Sequence, residues 1–419
     1  MNVVVSDTKR VILLSKVSTY RARPFLAAAR RLGIKVVQGV DMDPALVEHW
    51  HVPLGLQFDQ PQEAVQKIVA FAREKPVQAV ISIDDSASEI AAMASEALGL
   101  PHNSSKSALA ARDKYEMRKL LSQAGVPCPE FTLYDIAVDP DQIATTVKYP
   151  AVVKPLVLSG SRGVIRVNDP LEFRAAFLRL KRMLSGLEQA PGTNNILVET
   201  YISGIEVALE GILNRGSLKV LALFDKPDPL EGPFFEETIY VTPSRLPEGV
   251  QTAIADCTAQ AVAALGLHHG PIHAELRVND AGPWILEVAG RSIGGLCSET
   301  LQFGSDISLE ELILRQAIGL DIEAYSRENR ATGVMMIPIP EAGILKGIEG
   351  IEAAKQVPLI DGIDITAQAN YPLVPLPEGD SYLGFIFASG QKPAEVEAAL
   401  RQAHQKLHFQ VEPMLPLLP

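Results

Sequence analysis

A chain of 419 residues with 47% hydrophobic and 21% charged residues is long and apolar enough for two or three domains with substantial cores, which excludes a disordered chain. Its formal net charge of −12 excludes a general nucleic-acid surface, although a local positive site for a small anion is still compatible with it. Three cysteines, Cys128, Cys257 and Cys297, lack metal-ligand spacing and are too sparse for a disulfide framework, so a reducing cytoplasm is expected. VILLSKV at 11–17 is too short for a signal-peptide core, and no run reaches the length of a transmembrane helix.

In chain order, VILLS (11–15), a helical run from Pro24 to Leu32 and IKVVQGV (34–40) form a β-α-β pattern. Helical PQEAVQKIVAFAREK (61–75) leads to VQAVISI (77–83) and to the alanine-rich amphipathic stretch 86–100. These elements predict a small parallel α/β domain whose strands end at a ligand-facing edge. It lacks G-x-G-x-x-G after the first strand, so a dinucleotide has little support. GVPCPEFTLYD (125–135), rich in turn residues, opens a second unit of short strands around the helix LEFRAAFLRLKRML (171–184), which runs to about Ile202. A strand-rich unit to about 290 and a helical stretch to about 328 follow. His268-His269 reads as a helix end closed by Gly270. From 331, strands such as GVMMIPI (333–339) and YLGFIFAS (382–389) alternate with the helix PAEVEAALRQAHQKL (393–407).

HAELRVNDAGPWILEVAGR (273–291) is the most informative stretch. Asp280-Ala281-Gly282 suits a three-residue hairpin loop with Gly282 in the left-handed position, which pairs Asn279 with Pro283 and sets Glu275 opposite Glu287. The same count gathers Ala274, Leu276, Val278, Trp284, Leu286 and Val288 on the other, buried face. Like charges directly opposite one another destabilise a sheet, so the pair calls for a cation or a shared proton. A hard divalent ion such as magnesium, arriving with phosphate, is one answer. The other is a solvated strand face on which Arg277 and Arg291 neutralise the two carboxylates.

AVVKPLVLSGSRGVIRV (151–167) runs from Lys154 into the loop Ser159-Gly160-Ser161-Arg162-Gly163 and leaves as another strand. Backbone N–H groups of such a loop approach a phosphate with little obstruction, and Lys154 and Arg162 supply charge. It lacks G-x-x-x-x-G-K and is no Walker A loop; a plain hairpin is the competing reading. In NNILVETYISGIEVALEG (194–211), Glu199, Glu206 and Glu210 stand among apolar neighbours, either as acceptors for a ligand or as the polar face of an amphipathic strand. His273 shares the face of Glu275, to contact substrate or to orient a ligand.

Lys114 in ARDKYEMRKLL, Lys154 in VVKP, the SGSRG loop, Glu199 with Glu206, and Glu275 with Glu287 followed by Arg291 occur in the order and spacing of the ATP-grasp superfamily. The chain resembles that superfamily over nearly its whole length. Among its members it looks most like the L-amino acid ligases, the dipeptide synthetases, in FDKPDPLEGPFFEETIYVTPSRLP (224–247), EVAGRSIGGL (287–296) and LKGIEGIEAAK (345–355). The resemblance implies an α/β (α+β) ATP-grasp fold. Its parts are an N-terminal parallel α/β domain at 1–112, an ATP-grasp domain at 113–328 with a lid at about 128–202, and a C-terminal α+β subdomain at 329–419.

The resemblance also implies ATP and magnesium, with manganese as a substitute. Lys114 and Lys154 then contact the ATP phosphates, and the loop Ser159, Gly160, Ser161, Arg162 and Gly163 closes over them. Glu199 and the backbone near Ile202 hold adenine, and Glu206 the ribose hydroxyls. Glu275 and Glu287 are the implied metal ligands. Many ATP-grasp enzymes add the asparagine of Glu-x-Asn, where this sequence has Ala289. Arg291 faces the substrate carboxylate or acyl phosphate beside the N–H groups of Gly294 and Gly295, while Glu237, or else Glu236, meets the amino group of the first amino acid.

The activity implied is that of an ATP-dependent, ADP-forming ligase that makes a C–N bond between a small carboxylate and an amine, both amino acids in the simplest case, through an acyl phosphate. Two other readings stand beside it. One is a biotin-carboxylase-like enzyme, which needs a separate biotinyl carrier because no A-M-K-M-like site occurs in the chain. The other is a nucleotide-binding protein without turnover, for which Ala289 is the only hint. A homodimer fits the superfamily resemblance, and neither nucleic acid nor a membrane is an expected partner.

Overall fold

A computed structural model describes residues 9–17, 19–187, 192–304 and 306–414; residues 188–191 of the expected lid and the ends of the two expected terminal domains lie outside the described residues. The N-terminal domain is a parallel sheet in the order Leu54–Leu56, Lys35–Asp41, Arg10–Lys16, Ala79–Ser82. Residues Val11 to Leu14 of the strand Arg10–Lys16 are all apolar because both faces are covered. Val11 and Leu13 join the core that includes Phe25 and Ala28 of the helix Ala22–Leu32. Ile12 and Leu14 pack on the opposite side with Ile68 and Ile90. Gly33 and Gly99 end two helices in the left-handed conformation, where a side chain would be strained.

The expected lid is an antiparallel sheet in the order Phe131–Asp135, Asn195–Thr200, Ala151–Pro155, Ile165–Val167. The helix Pro170–Ser185 covers it, started by the Asp169 side chain, which accepts from the N–H groups of Leu171 and Glu172. A second capping aspartate, Asp113, fixes the start of Lys114–Gln123 and so the position of Lys114.

The centre is one eight-stranded antiparallel sheet. Its order is Gly282–Ala289, His269–Asn279, Ile205–Asn214, Ser217–Asp225, Ile239–Thr242, Ala331–Ile337, Gly384–Gly390, Ile360–Ile365. Strands from both sides of residue 328 thus share one sheet, with Ile239–Thr242 paired to Ala331–Ile337. The fold is a mixed α/β structure, as expected.

Several local expectations are corrected. The strand-rich unit before 290 contains the long helix Glu248–Ala264, and the expected helical stretch after it holds one α-helix, Leu309–Ala317. Gly266, at φ 72°, follows the end of the longer helix, while His269 and Gly270 already belong to the next strand. The hairpin loop has two residues, not three, since Asn279 pairs with Gly282. The Asn279 side chain closes it early by accepting from Ala281 N–H at 3.0 Å and Trp284 Nε1 at 3.2 Å. A bulge at Leu286 then restores the register, so Glu275 still faces Glu287. Its consequence is that Ile285 takes the core place opposite Leu276, and Leu286 lines the cleft.

Gly204 sits at φ 118°, and a Cβ there would lie 2.2 Å from the Val278 carbonyl oxygen. Gly204→Ala should lower unfolding free energy by about 2–4 kcal/mol through backbone strain and this clash, read as a lower urea midpoint at unchanged slope.

Candidate active site

Side chains alternate along strands, so Glu206 and Glu210 of Ile205–Asn214 share a face with His273, Glu275 and Arg277 of the neighbouring strand. The register places His273 beside Glu210 and Arg277 beside Glu206, with Glu287 and Ala289 opposite Glu275 and His273 on the other side. Glu206, His273, Glu275, Arg277 and Glu287 of this row line a cleft of about 820 Å³, within the usual range for sites that enclose a small molecule.

One end of the cleft carries an excess of positive charge. Glu199, fully buried, has Lys154 Nζ at 2.6 Å from one oxygen and Arg118 Nε at 2.7 Å from the other. Arg118 also donates to the Leu286 carbonyl at 2.6 Å. Two cations therefore share one carboxylate. Burial, opposed by Glu199 but reinforced by Arg118 and Lys114, lowers the Lys154 pKa to about 8. Burial works against ionisation of Glu199, but Arg118 and Lys154 outweigh it and hold its carboxyl below the usual range. Lys114 Nζ lies 3.2 Å from Glu287 and donates to the Leu158 carbonyl at 2.9 Å.

The floor beyond carries the opposite excess. Oxygens of Glu206, Glu237 and Glu275 come within 4.8 Å of one another. Lys226 Nζ fills their centre at 2.9, 2.5 and 3.1 Å respectively, so the trio is an ammonium cage. Burial, with the negative charges of Glu275 and Glu206, raises the Glu237 carboxyl to about 7 despite Lys226. His273 Nδ1 stands 2.5 Å from Glu210 and Nε2 3.4 Å from Glu275. Burial alone would lower its pKa, but these hydrogen bonds dominate and raise it to about 9.

Arg291 is bonded to other partners, although the Glu287 charge acts on it. Its Nε and Nη2 hold Asp85 at 2.8 and 2.7 Å, and Nη1 donates to the Ser292 carbonyl. Two of the five guanidinium N–H groups then remain for a ligand. Arg277 likewise turns away from Glu275: it pairs with Glu206 at 3.0 Å and donates to the Ile202 carbonyl at 2.8 Å. Both oxygens of Glu199 and of Glu206, expected to meet adenine and ribose, are thus already engaged by protein cations. Ile202, Gly294 and Gly295 line the cleft, as does Glu237; Glu236 is not among its lining residues and is held toward Ile339 instead.

Glu275 and Glu287 have side chains 20% and 26% exposed, within the cleft lining. Adjacent, partly accessible carboxylates suit a hard divalent ion, and the residues present fit the magnesium that the fold implies. Of the loop at 159–163, the first four residues line the cleft. Arg162 Nε donates to the Glu378 carbonyl at 2.8 Å, and Gly163 N–H to the Pro377 carbonyl at 2.8 Å. Arg179 of the lid helix grips the Glu378 carboxylate at 2.6 and 2.8 Å.

The sequence reading missed Lys226, Arg118 and Asp85. Lys226 lies in the quoted FDKPDP run, and Arg118 is one helical turn from Lys114. A charged residue inside an apolar helix or strand pattern was the available signal.

Comparison with known proteins gives three family matches: the ATP-grasp N-terminal domain over residues 26–102, the ATP-grasp domain over 147–300, and the L-amino acid ligase C-terminal domain 2 over 335–412. An uncharacterized protein, y4rH of Sinorhizobium fredii, is 24% identical over 73% of this chain, which spans 62% of that protein. Alanine–anticapsin ligase of Bacillus subtilis is 24% identical over 94% of this chain and 93% of its own length. The crystal structure of an L-amino acid ligase from Bacillus licheniformis superposes with a TM-score of 0.82 at 27% identity, covering 97% of this chain and 99% of that one.

Because His273 titrates at about 9 against an ordinary 6.5, its bonds to Glu210 and Glu275 stabilise the fold fully below pH 6.5 and lose that effect as pH rises through about 9. In chelator and without nucleotide, the stability gap between the wild type and His273→Gln should be about 3 kcal/mol near pH 6 and shrink above about pH 9. Urea denaturation across the pH range measures it; a gap independent of pH would mean that the imidazole titrates alike in the folded and unfolded chain.

Proposed function

The chain is an ATP-grasp protein with an L-amino acid ligase C-terminal domain, and on that premise we propose that it is an ATP-dependent carboxylate–amine ligase that joins two amino acids. The observation that carries this reading is the two-poled cleft. An excess of buried cations around Glu199 suits a polyanion such as the ATP phosphates. An excess of carboxylates around Glu237 suits the ammonium of an amino acid, and Arg291 lines the same cleft to meet its carboxylate.

A carboxylate is a poor acyl donor because it has no good leaving group. In the proposed reaction, a substrate carboxylate oxygen bonds the γ-phosphorus of ATP as the bond to ADP breaks, giving an acyl phosphate. Lys154, Lys114 and the two free N–H groups of Arg291 offset the charge that spreads over the transferring group. A magnesium ion held by Glu275 and Glu287 would supply further neutralisation of phosphate oxygens when bound. The neutral amine of the second amino acid then attacks the carbonyl carbon, Arg291 and the N–H groups of Gly294 and Gly295 bind the oxyanion, and phosphate leaves as the amide forms. The loop at 159–163, resting on residues 377–380, excludes water from the acyl phosphate.

The test is phosphate release with ATP and magnesium across pairs of L-amino acids, with mass spectrometry of each positive reaction. The expected result is ADP, phosphate and a dipeptide in equal amounts, with kcat reduced about 10²- to 10³-fold in Arg291→Met and in Lys154→Met. Phosphate release that requires bicarbonate instead of an amine would replace this reading with a carboxylating one.

A further inference from the structure

Part of the cleft lining has no role in the proposed reaction. Its wall is Tyr20 from the N-terminal domain, Tyr240 and Met336 from neighbouring strands of the central sheet, Cys297, and Tyr382 from the C-terminal segment. Phe385, fully buried, braces this wall from behind: its ring centroid lies 6.0 Å from that of Tyr20 and 6.3 Å from that of Tyr382, and its strand partner is Met336. Three parts of the fold therefore converge to build one surface of aromatic rings and sulfur-bearing side chains.

That surface has no charged side chain of its own, and the charges that act on its Tyr20 end are paired, Arg21 with Asp84 and Asp380 with Arg162. The Tyr240 hydroxyl is committed to Glu237 at 2.8 Å, and burial keeps the Cys297 thiol protonated. Burial also pushes the Tyr20 phenol up to about 12. Glu237 sits at its rim, close enough that its charge acts on Tyr240, Cys297 and Tyr382 alike.

We infer that this wall receives the side chain of the carboxylate substrate and selects a large apolar or aromatic amino acid such as phenylalanine, leucine or methionine. The inference rests on the ligase reading, in which the ammonium of that amino acid meets Glu237 and its carboxylate meets Arg291. With those two ends fixed, the side chain turns toward Met336 and Tyr382. A second charge there would be buried without a partner, and glycine or alanine would leave the apolar wall uncovered.

Calorimetric titration with a non-hydrolysable β,γ-imido ATP analogue and magnesium present tests the pocket without turnover. L-Phenylalanine, L-leucine and L-methionine should bind at least about tenfold more tightly than L-alanine, L-aspartate or L-lysine. Met336→Ala and Tyr382→Ala, each first shown to melt cooperatively, should shrink that preference severalfold while L-alanine affinity changes little. Equal affinities, a preference for small or charged amino acids, or a preference untouched in both variants overturns the pocket. Phosphate release separates the two claims. Turnover confined to small or charged donors overturns the pocket and keeps the ligase, whereas selective binding of L-phenylalanine with no phosphate from any pair keeps the pocket and overturns the ligase.

Discussion

Lys226 Nζ stands between Glu206, Glu237 and Glu275 at 2.9, 2.5 and 3.1 Å, and the floor of the cleft is arranged around that contact. The three carboxylates come from separate segments of the chain, and their oxygens lie within 4.8 Å of one another. In a buried setting such a group repels itself strongly unless a cation is fixed among them. One ammonium cannot neutralise three carboxylates. Arg277 takes the second oxygen of Glu206, His273 approaches Glu275, and Glu237 retains a raised pKa near 7.

The glutamate pairing was legible in the sequence, but for a partly mistaken reason. A three-residue loop gives the correct partner for Glu275, yet the molecule uses a two-residue loop and a bulge, and the two errors cancel. Alternation of apolar and polar residues reports which face a strand presents. It carries no mark of a bulge, because the extra residue, Leu286, is itself apolar. The parallel N-terminal sheet was readable because its strands are continuous apolar runs between helices. The helix Glu248–Ala264 was not, since alanines and threonines spread its apolar residues around the axis.

The site residues divide in the same way. Lys114, Lys154, Glu275, Glu287 and Arg291 stand in recognisable spacings, and all of them line one cleft. Their partners were hidden because pairing across long sequence separations leaves no local pattern. Glu199 reads as a ligand group in one dimension, whereas in three its oxygens are taken by Arg118 and Lys154. Arg291 reads as a neighbour of the glutamate pair, whereas Asp85 of the N-terminal domain holds it. Arg21 of that domain, partly buried, adds hydrogen bonds to the Ser292 and Ile293 carbonyls at 3.1 and 2.9 Å. The segment Arg291 to Ile293 is thereby positioned from outside the stretch that matches the ATP-grasp domain.

The grip of Arg179 on Glu378 is open to the solvent. Its two side chains are 40% and 42% exposed, unlike the sealed ion pairs of the cleft, so dissolved salt screens this contact first. Ionic strength then acts on the contact between the helix Pro170–Ser185 and Glu378 before it reaches the ion pairs of the cleft. A fastening on the outer surface, joining that helix to a C-terminal segment far away in sequence, makes the hold between the two a property of the solvent as well as of the protein.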